Sequence, residues 1–144
     1  MLLNKFLADK ENRKKLNVAI IAHDGKKADM VSFIMKRLDF FKNNVNIYAT
    51  GTTGKHVEHA GLTNVTKLNS GPYGGDAEIA SMIVNGKIDG VVFFIDPLEA
   101  HPHQVDVSML LRICNVHNIP LATNYASASL MVKYYELELK NTNG

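Results

Sequence analysis

A single cysteine in 144 residues excludes an internal disulfide, and a chain built this way suits a reducing compartment. Cys114 stands among apolar residues in a helical pattern and reads as a small buried hydrophobe rather than a nucleophile. Charge of one sign is equally scarce. Sixteen Lys and Arg face fourteen Asp and Glu, for a net charge of +2, and no block of five or six like charges occurs. A basic face for nucleic acid is therefore not expected, and the cluster from Lys10 to Lys15 reads as a solvated helix end. No apolar run exceeds five residues, against the roughly 20 needed to span a bilayer. The opening MLLNKFLADKENRKK has no sustained apolar segment of the export type. The expectation is a cytoplasmic protein with neither membrane nor nucleic acid as partner. Linkers and low-complexity tracts are absent. So are G-x-x-x-x-G-K-[ST] and, after the first strand, G-x-G-x-x-G, which removes the P-loop and the dinucleotide fingerprint.

What the chain does have is one rhythm, repeated. NVAIIA (17–22) is a β-branched apolar run, followed by Val31, Ile34, Met35, Leu38 and Phe41 at helical spacing. NVNIYA (44–49) leads through TGTTG into a segment ending near Ala60. NVTKL (64–68) leads through a glycine loop to Ile79, Met82 and Ile83. GVVFFI (90–95) is followed by Leu110, Leu111 and Cys114, and IPLAT (119–123) by Leu130 and Met131. Five strand-then-helix units with apolar strands predict an α/β fold, a single domain over 1–144 with a five-stranded, mainly parallel sheet and helices on both faces. Residues 1–16 are expected to add an N-terminal helix. Asn85-Gly86 and Asn118 are placed as helix stops.

In such sheets ligands bind beyond the carboxyl ends of the strands, where strand order reverses. The loops to read are HDGKK (23–27), TGTTG (50–54), SGPYGGD (70–76), DPLEAHPHQVD (96–106) and TNYAS (123–127), which hold nearly every side chain capable of chemistry. TGTTG, between a strand and a helix start, is either a phosphate cradle of free N–H groups and hydroxyls or a site where Thr52 or Thr53 merely caps the helix. Lys27 would bring a cation to that cradle, against the helix dipole. Asp76 and Asp106 each open a helix and fit an N-cap role. Asp96, at the end of a buried strand, needs partners. Of His101 and His103, alternate spacing sends one inward and one to the surface. His56 and His59 have no thiolate or compact carboxylate set beside them, and no metal site is expected.

IIAHDGKK, YATGTTG, SGPYGGD, DPLEAHPHQVD and PLATN resemble, in order and at the same strand-to-helix junctions, the signature loops of the methylglyoxal synthase family, from about Asn17 to about Ala128. The resemblance implies a homohexamer of Rossmann-like domains, inhibited by phosphate. It implies conversion of dihydroxyacetone phosphate to methylglyoxal and inorganic phosphate with no metal or organic cofactor. By resemblance Asp76 takes the carbon-bound proton, in a site that excludes water, with Asp96 and Asp106 adding like charge. His103 hydrogen-bonds the carbonyl oxygen and moves protons among the oxygens, and Asp106 orients it. His23 stands near the substrate oxygens. Lys27, Thr50, Gly51, Thr52, Thr53, Ser70 and Gly71 match the phosphate and substrate contacts. In SGPYGGD the glycines then allow close approach of main-chain N–H groups to a small anion, while Pro72 limits the loop. The chain departs from the family pattern at Val105, where proline is common, and its C-terminus is shorter than the pattern leads one to expect, so no family contact beyond Ala128 is carried over. The same fold also serves as a regulatory ligand-binding module, which would need the cradle but not Asp76, Asp96, His103 and Asp106 together. A phosphoreceiver domain would need an acidic pair after the first strand, where only Asp24 stands.

Overall fold

The computed structural model describes residues 15–70, 73–98 and 106–143. The expected N-terminal helix lies outside the described residues. Five strands form the sheet: β1 Leu16–Ala22, β2 Val45–Thr50, β3 Val65–Leu68, β4 Gly90–Phe94 and β5 Leu121–Ala122. All pair in parallel, in the order β3-β2-β1-β4-β5. The helices are α1 Lys27–Met35, α2 Leu38–Asn44, α3 Gly51–His59, α4 Gly75–Val84, α5 Val107–Val116 and α6 Tyr125–Asn143, with a 3-10 turn at Asp24–Lys26.

Strand alternation sorts the core into two layers. Val18, Ile20 and Ala22 of β1, with Val92 and Phe94 of β4, pack against Met30 and Phe33 of α1, Phe41 of α2, Val57 of α3 and Val132 and Tyr135 of α6. Ala19, Ile21, Val91 and Phe93 turn to the other face and meet Ile79 and Ile83 of α4 and Leu110 and Cys114 of α5. The helix after β1 thus covers one face and the helix after β4 the other. Because β1 and β4 are neighbours, their carboxyl ends bound the crevice where strand order reverses.

The helix stops form as expected. Gly86, at φ +72°, and Asn118, at φ +56°, take left-handed positions. Lys87 N donates to Met82 O and Ile119 N to Cys114 O, the bonds that close a Schellman motif. Two expectations need correction. The periodicity from Val31 to Phe41 is not one helix. Arg37 breaks it: its guanidinium donates to Phe33 O at 3.1 Å and to Ser129 Oγ at 2.8 Å, and lies 4.4 Å over the Phe33 ring. This break turns Phe40 and Phe41 inward and leaves Met35 53% exposed. The third strand is an edge strand, not an apolar one. Thr66 and Lys67 face solvent, and Lys67 pairs with Glu58 at 2.9 Å, a charged edge that discourages pairing with another sheet.

Candidate active site

Beyond the end of β1, His23 is 6% exposed. Its Nδ1 accepts from the main-chain N–H of Asp96 at 2.9 Å, and the main-chain N–H of His23 donates to Phe94 O at 3.1 Å. Phe93 packs edge-on to the ring, with centroids 5.2 Å apart. Since Nδ1 is an acceptor here, the proton of the neutral ring is on Nε2. That Nε2 is buried and has no partner among the described residues.

Lys27, the first residue of α1, extends its ammonium to Asp24 Oδ1 at 2.6 Å and Thr52 Oγ1 at 2.9 Å. This stitches the loop after β1 to the loop after β2. A cation in the first turn opposes the helix dipole, and the Asp24 carboxylate offsets that cost. Asp24 was not among the candidates, although its i,i+3 spacing to Lys27 was open to view. Lys26 turns the other way. It pairs with Asp29 at 3.8 Å and lines, with Thr123 and Tyr125, a separate cavity of about 430 Å³ at the carboxyl ends of β4 and β5.

The capping alternative for TGTTG is not what forms. Thr50 occupies the N-cap of α3, in extended conformation and without a side-chain cap bond, and Thr52 and Thr53 lie inside the helix. Thr50 and Thr53 are buried. The first N–H groups of α3 therefore have no hydroxyl folded over them, the condition under which a helix start receives an anion. Gly51, at φ +25°, lets Ser70 approach: a Cβ there would sit 2.8 Å from Ser70 Cβ.

Asp76 needs correction as a cap. The N-cap of α4 is Gly74, at φ +98°, and Asp76 is the second residue of the helix. Its Oδ1 accepts from Ala77 N at 2.8 Å and its Oδ2 from Asp106 N at 2.9 Å. Asp106 is the N-cap of α5, as expected, and its Oδ1 accepts from Met109 N at 2.9 Å. The two aspartates thus meet through a main-chain donor and not as a carboxylate pair. Asp96, besides serving His23 with its N–H, accepts from Leu98 N at 3.0 Å. Gly71, His101 and His103 lie outside the described residues. His56 and His59 are exposed on α3, and among the described residues no three His, Cys, Asp or Glu side chains come together as metal ligands. Cys114 is buried, and desolvation pushes its thiol from the ordinary 9.0 up to about 11, so it carries no thiolate at neutral pH.

Imidazole, ammonium, hydroxyl and carboxylate groups gathered on the carboxyl edge of a 3-2-1-4-5 parallel sheet define the class: an MGS-like domain, whose family model matches residues 29–123. The chain belongs to the methylglyoxal synthase family. It is 52% identical over 120 residues to the methylglyoxal synthase of Acholeplasma laidlawii (strain PG-8A), covering 83% of this chain and 97% of that protein. It is 49% identical over 119 residues to that of Carboxydothermus hydrogenoformans, covering 82% and 97%. The crystal structure of methylglyoxal synthase from Elizabethkingia anophelis NUHP1 matches with a TM-score of 0.78 at 42% identity, over 82% of this chain and 77% of that one. Among the described residues no helix is long and apolar enough to cross a membrane.

Proposed function

We propose that this chain converts dihydroxyacetone phosphate to methylglyoxal and inorganic phosphate. Asp76 removes a proton from the hydroxymethyl carbon, and the enediolate expels phosphate from the other end. The observation that carries the reading is the state of His23: a buried imidazole whose Nδ1 is occupied by Asp96 N–H and whose Nε2 proton has no acceptor among the described residues. A ketone oxygen that gains charge as the enediolate forms is the acceptor such a donor fits. Asp76 suits the base. Both its oxygens are oriented by main-chain N–H groups, and each keeps a lone pair. Lys27, Thr52 and the uncapped start of α3 suit the phosphate, with Ser70, brought close by Gly51, completing the grip. His103 is assigned the proton traffic between oxygens by resemblance.

Purified protein is expected to release inorganic phosphate and an α-oxoaldehyde from dihydroxyacetone phosphate. Asp76→Asn, which keeps the shape of the side chain, should lower kcat by roughly 10²–10⁴-fold, the worth of a positioned base. A wild type that binds phosphate esters tightly and forms no aldehyde would turn the assignment to a regulatory module. The finer parts of the reading are homohexameric assembly, inhibition by phosphate and a cytoplasmic setting. They rest on the family resemblance, and sedimentation velocity together with phosphate titration of the rate tests the first two.

A further inference from the structure

Asn69, the residue after β3, is fastened to α4 at a single atom. Its main-chain N–H and its Nδ2 both donate to Glu78 Oε1, at 3.0 and 2.8 Å. Ser70 O accepts from Tyr73 N at 2.9 Å and from Gly75 N at 3.1 Å, and a Cβ at Gly75 would lie 2.0 Å from Asn69 O. Asn69 and Ser70 are therefore held directly against Tyr73 and Gly75, and Glu78 fastens the contact. Ser70 lies on one side of this contact, and Asp76 follows directly after the other.

We propose that Glu78 is a positioning residue: by clamping Asn69 it sets Ser70 relative to Asp76, and so decides whether the enediolate loses phosphate or is reprotonated. The inference rests on the function proposed above, in which Ser70 grips the phosphate and Asp76 takes the proton. The intermediate has two exits. In elimination, the hydroxyl on the deprotonated carbon gives its proton to the neighbouring enediolate oxygen and becomes a C=O, and the C=C electron pair shifts towards the phosphate-bearing carbon. The C–O pair leaves with phosphate, and the resulting enol takes a proton at its CH₂ end to become methylglyoxal. In the other exit the proton returns to the carbon it left, and substrate is regenerated. Only elimination requires the breaking C–O bond to stand parallel to the π system, so only elimination depends on the torsion that the Ser70 end of the grip imposes. Proton removal depends on Asp76, whose carboxylate is held independently by Ala77 N and Asp106 N.

The measurement is the partition in D₂O, deuterium incorporated into recovered dihydroxyacetone phosphate against methylglyoxal formed. Glu78→Ala is expected to raise the exchange-to-product ratio at least about tenfold, with kcat falling more than KM rises. Glu78→Gln retains an oxygen that accepts both bonds and should restore the wild-type ratio. Asn69→Ala removes one of the two donors and should give an intermediate ratio. Circular dichroism and urea unfolding accompany each variant, and if Glu78→Ala does not fold, Asn69→Ala and Glu78→Gln decide. A wild-type ratio in a folded Glu78→Ala or in Asn69→Ala overturns the clamp, as does a Glu78→Gln as impaired as Glu78→Ala. A wild-type protein that makes no methylglyoxal, or an Asp76→Asn variant that still exchanges and eliminates, overturns the function instead.

Discussion

His23 is held at one ring nitrogen and has no partner at the other among the described residues, and this asymmetry makes a strong prediction at the scale of the residue. If Nε2–H meets the oxygen that gains charge, His23→Ala should lower kcat by roughly 10²–10³-fold, the effect of deleting one oxyanion donor. Because the donor acts chiefly on developing charge, KM should change little. Steady-state kinetics on dihydroxyacetone phosphate decides this, and an equal loss in kcat and gain in KM would assign His23 to ground-state binding. His23 and Asp96 stood out in the sequence because each closely follows an apolar strand, where a polar side chain has no packing reason to be, whereas Lys27 and Asp76 were singled out by their loops and by the family resemblance. What holds them was not legible. Asp76 is gripped by the N–H groups of residues 77 and 106, and His23 by the N–H of residue 96. Every residue but proline offers such a donor, so no side chain announces it. The same blindness led to Asp76 being read as a cap: a rule that looks for a side-chain acceptor passes over Gly74, whose left-handed backbone takes that place.

At the scale of the element, the glycines at the two ends of α4 differ in kind. Gly75 meets the Asn69 carbonyl with no room for another atom, whereas Gly86 has a left-handed φ of +72° and open space around it. Gly75→Ala must push main chain aside, and is expected to cost about 3 kcal/mol or more, with loss of activity. Gly86→Ala suffers only the left-handed penalty of roughly 1–2 kcal/mol and should leave kcat unchanged. Urea unfolding of the two variants, with activity assayed beside it, makes the comparison. A Gly75→Ala variant no less stable than Gly86→Ala would mean that the contact between Gly75 and Asn69 is looser than described. β1 and β4 were legible because continuous apolar runs have few other homes. The first helix was misjudged because Ile34 and Phe41, seven apart, suit an unbroken helix and equally suit two helices hinged at Arg37. Only the partners of Arg37, the Phe33 carbonyl and the distant Ser129, distinguish them.

At the scale of the whole molecule, a ligand that binds only the folded state stabilises all of it. Inorganic phosphate at a hundred times its Kd should add about 2.7 kcal/mol to the free energy of unfolding. For a domain of this size that is a rise in Tm of roughly 5–10 °C. Lys27→Ala removes the ammonium that reaches Thr52 and should abolish most of the rise at the same phosphate concentration, which differential scanning calorimetry can follow. A full rise in the variant would place phosphate elsewhere. The bond from Asp96 N to His23 Nδ1 joins residues 73 apart in the chain, and that from Asp106 N to Asp76 joins residues 30 apart. Lys27, Thr52, Ser70 and Asp76 are thus encoded before β4, while the N–H groups of residues 96 and 106, which aim the imidazole and the carboxylate, are encoded after it, so the groups that bind and the groups that orient come from different halves of the chain.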